Sequence, residues 1–183
     1  EVEPEPDPDP VEAEVGDLVF SELMVNPEVV EDEIGEWVEL YNTSGSTIDL
    51  DGYSFHDLDF DQYTLGSVLV TANDYVVLCA SLDPGLNGGI PCDGFFVRTT
   101  TDLPAGMALG NDGDEVVLSR PDGVIIDQVL YDGTWFTPGV ATGLDPTLLD
   151  AENNDDETMW CDEVTTVPGA SEPGTPGLVN DPC

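Results

Sequence analysis

The chain has 183 residues, a length that suits one domain with tails, and 40% of them are apolar, enough for a sandwich-sized core. Forty Asp and Glu residues stand against only two basic ones, Arg98 and Arg120, for a formal net charge of −38. This charge argues against nucleic acids and anionic membranes as partners and favours cations, calcium among them. No apolar run approaches the roughly 20 residues of a membrane-spanning helix, so direct membrane insertion is not expected.

Residues 1–15 are predicted to form an acidic, extended arm or linker. Proline stands at every second position from Pro4 to Pro10 and alternates with acidic residues, a pattern typical of a self-repelling polyproline segment. The chain begins at Glu1 without a methionine, as a processed secreted chain would. The proline-free stretch 11–18 is suited to pair with a neighbouring subunit as an added strand. We therefore expect the arm to act as a tether or to engage a neighbour.

Residues 16–183 are predicted to form one all-β domain, a β-sandwich. Short runs rich in β-branched and aromatic residues alternate with Gly, Pro, Asn and Asp turns, and no convincing amphipathic helix is present. The predicted strands are 18–25, 36–41, 52–55, 63–65, 75–80, 94–98, 115–119 and 124–131. After Asp132 the composition predicts a long, loop-rich C-terminal segment that lies over the sandwich.

The four cysteines are predicted to form two disulfides. None belongs to a CxxC pair, and with one histidine in the chain a zinc site of usual spacing is not indicated. Of the three possible connectivities we favour Cys79–Cys92 with Cys161–Cys183, because each closes a local loop rich in Gly and Pro. Disulfides indicate an oxidising compartment, so we expect an extracellular or cell-surface location.

Several sequence elements, spread from about residue 16 to 180, together resemble one known family. They are LVFSELMVNP (18–27), GEWVELYN (35–42), DLDGYSFHD (49–57), LGNDGDEV (109–116), DGVIIDQVLY (122–131), Trp160 and GTPGLVN (174–180). In this order they resemble the lamin-tail domain family, an immunoglobulin-like sandwich of nuclear lamins and many bacterial secreted proteins. The chain resembles the bacterial secreted type. The resemblance implies an immunoglobulin-like fold and a surface setting, but no activity, since such domains are appended to many different proteins.

Three acidic residues lie on predicted strand faces that otherwise carry apolar side chains. By the two-residue period of a strand, Glu22 shares a face with Leu18, Phe20 and Met24, Glu39 with Trp37 and Tyr41, and Asp127 with Ile125, Val129 and Tyr131. A carboxylate on such a face must be paired, hydrogen-bonded, protonated or bound to metal. We expect these carboxylates to accept backbone N–H bonds and hold loops together. A metal-ligand or acid–base role for the three is the alternative.

A second acidic pattern is the alternation of Asp57, Asp59 and Asp61 in a predicted loop. Alternate aspartates in an extended loop point the same way, which is how hard oxygen ligands are gathered for calcium. The segment departs from an EF-hand loop, because Gln62 stands where glycine is needed and Val68 replaces the closing glutamate. The two interpretations are a solvated loop and a calcium site that carbonyls or distant carboxylates complete.

The sequence predicts no enzyme and no catalytic residues. It lacks a G-x-S-x-G elbow, an H-E-x-x-H motif, a phosphate loop and a G-x-G-x-x-G motif, and no serine is marked as a nucleophile for His56. We predict a structural or interaction module at a bacterial cell surface, stabilised by calcium, whose partner is another surface protein or itself in a homopolymeric filament joined through the arm. The alternatives are a monomeric, tethered, calcium-dependent carbohydrate- or protein-binding module and, more remotely, a hydrolase with paired carboxylates.

Overall fold

The structure is a computed structural model that describes residues 9–98 and 106–183. Within these ranges the strands are β1 (Leu18–Met24), β2 (Trp37–Asn42), β3 (Ile48–Asp49), β4 (Ser54–His56), β5 (Gln62–Thr64), β6 (Leu69–Val70), β7 (Tyr75–Cys79), β8 (Gly94–Phe95), β9 (Gly113–Ser119), β10 (Ile125–Asp132), β11 (Thr142–Leu144) and β12 (Trp160–Asp162). One helical turn, α1 (Asp32–Gly35), and a 3₁₀ turn at Glu157–Met159 accompany them. None of the helices in the described part is long and apolar enough to cross a membrane.

Two sheets with a common core form the body of the domain. The larger has the order β12-β11-β1-β2-β7-β8 and the smaller the order β10-β9-β4-β5, while β3 and β6 form a separate two-stranded ribbon. Side chains from both sheets, among them Phe20, Leu40, Phe55 and Leu118, are fully buried in one apolar cluster. Burial of the apolar surface of these side chains is the main favourable contribution to the folding free energy of such a domain. The predicted all-β sandwich is confirmed.

Each predicted strand is present, with shifted ends. The largest difference is at β8, which ends at Phe95 although the prediction ran to residue 98. Four short strands and helix α1 were not predicted, and two of those strands, β11 and β12, lie in the segment predicted to be loop-rich. Strands of two or three residues are too short to display the alternation on which the prediction depends. In β11 the central residue is Gly143, a residue that is depleted in strands.

A bulge in β1 changes which of its side chains share a face. The register with β2 shifts between Phe20 and Glu22. As a result Leu23 packs with Leu18 and Phe20 in the main core, whereas Met24 packs in a second apolar cluster. The prediction that Glu22 lies on the face of Leu18 and Phe20 is therefore wrong, because an inserted residue reverses the alternation.

A second bulge has the same effect in β10. The register with β9 shifts between Ile125 and Asp127. Ile126 is buried with Val129 and Tyr131 in the main core, and Ile125 is exposed. The prediction that Ile125 shares the buried face of this strand is therefore wrong for the same physical reason.

Both predicted disulfides are present. Cys79, the last residue of β7, is bonded to Cys92 in the loop before β8, and Cys161 of β12 is bonded to Cys183. The connectivity is the one favoured from the local, Gly- and Pro-rich loops. Two disulfides indicate an oxidising environment of the extracellular type.

The segment predicted to be an arm contacts the sandwich from Val11 onwards. The Val11 N–H donates to the carbonyl of Thr47 at 2.9 Å, and Ala13 is fully buried and donates its N–H to the Tyr53 hydroxyl at 2.9 Å. Residues 1–8 of the predicted arm lie outside the described residues. The part of the arm closest to the domain is thus bonded to its own chain.

Candidate functional site

The C-terminal strap, defined as residues 163–181, covers the outer face of the larger sheet. The second apolar cluster lies on this face, and it includes Met24, Trp37 and Val77, with Ala170 of the strap packed against it. A Cβ atom added to Gly174 would stand 3.1 Å from Trp37 Cζ2 and 3.2 Å from Glu22 Oε1. Glycine at this position therefore lets the strap approach the sheet closely.

Two glutamates of the sheet hold the strap through its backbone. Glu22 and Glu39 are directly opposed in the register of β1 and β2, and both are fully buried. Glu22 accepts from the Thr175 N–H at 2.8 Å and from the Thr175 hydroxyl at 3.1 Å. Glu39 accepts from the Gly177 N–H at 2.7 Å and from the Ser21 hydroxyl at 2.6 Å. The two carboxylates thereby satisfy backbone donors of a turn that has no strand partner at these positions.

A third buried carboxylate, Glu163, and the amide of Asn180 complete this arrangement, which we call the strap cluster (Glu22, Glu39, Glu163, Asn180). Glu163 accepts from the Asp181 N–H at 3.0 Å. A Cβ atom on Gly143 of β11 would collide with Glu163 Oε1, so the glycine makes room for this side chain. The Asn180 amide donates to the carbonyl of Ser21 at 2.7 Å and to that of Leu144 at 3.0 Å, and so joins the β1 bulge to β11.

Burial controls the protonation of the strap cluster. It raises the pKa of Glu22 to about 8, with the charge of Glu163 adding to the effect, and raises the pKa of Glu163 itself to about 7. The pKa of Glu39 is raised well above its usual range, first by burial and then by the adjacent Glu22. Two carboxylates side by side in a dry site cannot both carry charge without a cation, so protons are retained there at neutral pH.

Asp127 is buried at a different place and bonds to different partners. Its Oδ2 accepts from the Phe20 N–H at 2.7 Å and from the Asn154 amide at 2.7 Å, and the Asn154 carbonyl accepts from the Trp160 indole N–H at 2.9 Å. Burial raises the pKa of Asp127 to about 7. The structure therefore brings Glu22 and Glu39 together but not Asp127, and all three carboxylates accept backbone N–H bonds, as the first interpretation of these residues expects.

One aspartate of the 57–61 loop, Asp57, organises the loop itself. Asp57 Oδ1 accepts from the N–H of Asp59 at 2.8 Å and from the N–H of Asp61 at 3.0 Å, which closes a tight turn. Over residues 9–98 and 106–183, no group of three or more His, Cys, Asp or Glu side chains has an arrangement that could hold a metal ion. Calcium at this loop stays a prediction.

The ion pair between Glu36 and Arg98 was not predicted from the sequence. Glu36 is fully buried and accepts from Arg98 Nε on both oxygens at 3.1 Å, while Arg98 Nη2 lies 3.1 Å from Oε1. The Leu109 N–H adds a donor at 3.3 Å. Burial raises the pKa of Glu36 to about 8, and the positive charge of Arg98 is the largest effect opposing it. The sequence contains one signal of this ion pair, because Arg98 is one of only two basic residues in a chain with 40 acidic ones.

Replacement of Asn180 by alanine is expected to lower the free energy of unfolding by about 2–3 kcal/mol, because two buried carbonyls lose their donor. The matched control is Asn111→Ala, since the Asn111 amide makes a single exposed bond to Asp32 at 3.1 Å and its loss should stay within about 0.5 kcal/mol. Urea unfolding of both variants measures the difference. Equal losses in the two variants would contradict the role assigned to Asn180.

The domain has two facing sheets, a strap that crosses one of them, and carboxylates that accept hydrogen bonds from backbone N–H groups. It is therefore an immunoglobulin-like β-sandwich module. The family model described as Lamin Tail Domain matches residues 12–133, more than half of the chain. The chain therefore belongs to the lamin tail domain family, as its sequence elements indicated. The match ends before the strap, although the strap is bonded to Glu22 and Glu39 inside the matched region. No match to a curated protein was found.

Proposed function

We propose that the chain is a non-catalytic interaction module of an extracellular surface, tethered by its acidic N-terminal segment. This proposal rests on the hydrogen bonds that the buried carboxylates accept. Glu22, Glu39, Asp127 and Glu163 are the groups best placed for acid–base or metal chemistry, and each accepts hydrogen bonds from the backbone of this chain. Carboxylates engaged in this way stabilise a scaffold, which is what a module appended to other proteins needs.

The tethered form is favoured over a filament by the position of the N-terminal segment. Val11 and Ala13 are bonded to their own sandwich, so these residues are not available to a neighbour as an added strand. Another surface protein is then the expected partner. With a net charge of −38, the module would attract calcium as a counter-ion, and the 57–61 loop, where Asp59 is exposed, is the proposed place for it.

Light scattering with electron microscopy on the whole chain, in calcium and in chelator, tests this proposal. We expect a monomer in both conditions, with a higher unfolding temperature in calcium. Filaments or large uniform oligomers would contradict the tethered form and support the polymer, and removal of residues 1–10 should then abolish assembly. An Asp59→Asn variant that gains as much from calcium as the unaltered chain would contradict the loop as the binding place.

A further inference from the structure

We propose that the outward face of the smaller sheet binds a neutral saccharide; this inference rests on the proposed interaction module and adds a ligand to its protein partner. The face carries a groove of about 470 Å³. Its polar lining, which we call the polar groove, consists of Ser54, His56, Gln62, Thr64, Ser119 and Arg120. The volume suits a sugar ring with part of its neighbour rather than a large apolar ligand.

Strand alternation and register assemble the polar groove. Phe55 of β4 is buried in the core, so the residues on either side of it, Ser54 and His56, point outward. Ser54 is opposed to Thr64 on one side and to Ser119 on the other, and His56 is opposed to Gln62. Hydroxyl, amide and imidazole groups of three adjacent strands therefore form one continuous hydrogen-bonding surface.

The charge of the polar groove distinguishes it from the rest of the surface. No Asp or Glu lines it, although the chain has 40 such residues. Three other concavities of the described surface each include aspartates, for example Asp93, Asp155 and Asp59. The charge of Arg120 is matched by Asp122, which accepts from its Nη2 at 2.6 Å and its Nε at 3.1 Å. A ligand without net charge fits a site in which no unmatched charge is present.

Hydrogen bonds fix the imidazole of His56 in the groove. Nδ1 lies 2.6 Å from the carbonyl oxygen of Asp57, and a carbonyl only accepts, so Nδ1 carries the proton. In the neutral imidazole, Nε2 is then the acceptor for the Ser119 hydroxyl at 2.9 Å. Both ring nitrogens are thereby bonded within the chain, and the Ser119 oxygen can still accept a hydrogen bond from a saccharide hydroxyl.

One hydroxyl of the groove has no partner in the folded chain. The Ser54 Oγ is buried and makes no hydrogen bond to any group of the described residues. Buried polar atoms are nearly always satisfied, so this hydroxyl of a groove-lining residue is an exception. Rotation of the Ser54 side chain about χ1 would turn the hydroxyl toward the groove, where a saccharide hydroxyl would supply the missing bond.

An exposed aromatic ring stands beside the groove. Phe60, at the tip of the 57–61 loop, is 92% exposed, and this loop shares His56 and Gln62 with the polar groove. Leu58 on the same loop is 54% exposed, so two apolar side chains face the solvent beside the groove. The apolar face of a sugar ring can pack on the Phe60 ring while its hydroxyls bond to neighbouring polar groups.

The single histidine makes the inference testable by NMR, because the imidazole Cε1–Hε1 signal of His56 has no counterpart elsewhere in the chain. The probes are the unbranched neutral trisaccharides cellotriose, maltotriose, xylotriose and mannotriose, with trigalacturonate as the charged comparator. We expect at least one neutral probe to shift the His56 signal saturably, and trigalacturonate to leave it unchanged. Ser54→Ala and Phe60→Ala should each weaken binding about tenfold.

Matched variants separate binding from folding. Ser54→Ala removes a hydroxyl without a partner, so the free protein should remain as stable as the unaltered chain. The controls are Ser67→Ala, whose hydroxyl bonds to Asp49 outside the groove, and Val164→Ala, which is 82% exposed on the strap. Both controls should bind like the unaltered chain.

Each of the other possible results of the titration would overturn a particular part of the proposal. No saturable shift with any neutral probe up to about 10 mM would overturn the saccharide site but leave the interaction module intact. Tighter binding of trigalacturonate would overturn the neutral class of ligand, and binding that neither Ser54→Ala nor Phe60→Ala weakens would overturn the location. New reducing-end signals during the titration would show turnover and overturn the proposed non-catalytic function itself.

Discussion

The free energy of unfolding should fall as the pH rises from about 4.5 to about 8, the opposite of ordinary acid denaturation. Burial raises the pKa of Glu22 from 4.5 to about 8 and the pKa of Glu39 well above its usual range. A carboxyl group whose pKa is higher in the folded chain holds more protons there than in the unfolded chain. Its stabilising effect is complete below the unfolded pKa and is lost as the pH approaches the folded one.

The magnitude is large because the two glutamates are buried side by side. Between its unfolded and its folded pKa, each group lowers the free energy of unfolding by about 1.4 kcal/mol for every pH unit. Asp127 and Glu163, whose pKa values burial raises to about 7, change the stability in the same direction. Most other acidic residues lie at the surface, and their mutual repulsion also grows with pH, so a variant is needed to separate the two effects.

The double variant Glu22→Gln/Glu39→Gln provides this separation. At position 39 an amide can still accept from the Gly177 N–H and can donate to the Ser21 hydroxyl, which reverses its role. At position 22 the same exchange works with the N–H and hydroxyl of Thr175. The strap should therefore stay bonded, while the dependence of stability on pH loses the part that Glu22 and Glu39 contribute between about 5 and 8. The part due to Glu36, Asp127 and Glu163 remains.

Urea unfolding at stepped pH, with both disulfides intact, measures these slopes. The control is Glu157→Gln, which removes one charge from an exposed side chain and should leave the slope close to that of the unaltered chain. Parallel slopes for the double variant and the unaltered chain would show that groups other than Glu22 and Glu39 cause the dependence. A stability that rises up to pH 8 would contradict proton retention by Glu22 and Glu39.

The strands were predictable where runs of β-branched residues and turn residues are both present. The hairpin of β9 and β10 illustrates this, because such runs stand on both sides of Pro121-Asp122-Gly123, and Gly123 has the positive φ of 86° that such a turn uses. The bulges in β1 and β10 were not predictable. Each adds one residue without changing composition, so nothing in the sequence marks the place where Glu22 and Ile125 change face.

Two residues of the strap cluster, Glu22 and Glu39, were predicted individually, whereas Glu163, Asn180 and the contacts with the strap were not. Glu39 belongs to the element GEWVELYN and Gly177 to GTPGLVN, and the hydrogen bond between them spans 138 positions. The Glu39 carboxylate was expected to accept hydrogen bonds from backbone N–H groups. Which N–H group it contacts depends on how the strap crosses the sheet. The ion pair between Glu36 and Arg98, which are 62 positions apart, could not be predicted for the same reason. The polar groove combines three strands and was not marked by any local motif.

Replacement of Arg98 by methionine is expected to lower the free energy of unfolding by about 3–5 kcal/mol at pH 9, above the pKa of Glu36, because it leaves the Glu36 carboxyl buried without its cation. The arginine contacts both oxygens of a side chain that is fully buried, and the remaining donor is the Leu109 N–H. Without Arg98 the pKa of Glu36 should rise further above about 8, since the main effect that opposes burial is removed. At pH 5 the carboxyl can be protonated in the fold, so the loss should be smaller there.

The double variant Arg98→Met/Glu36→Gln identifies the cause of this loss. With no charge left in the site, much of the stability at pH 9 should return, since removal of both members of a buried ion pair is far less damaging than removal of one. The matched control is Arg120→Met, because the Asp122 side chain that pairs with Arg120 is 57% exposed and water can solvate it after the change. Urea unfolding at pH 5 and pH 9 compares the variants. Equal losses for the two arginines, or a loss at position 98 that is the same at both pH values, would show that Arg98 stabilises the fold through packing of its side chain rather than through the buried charge.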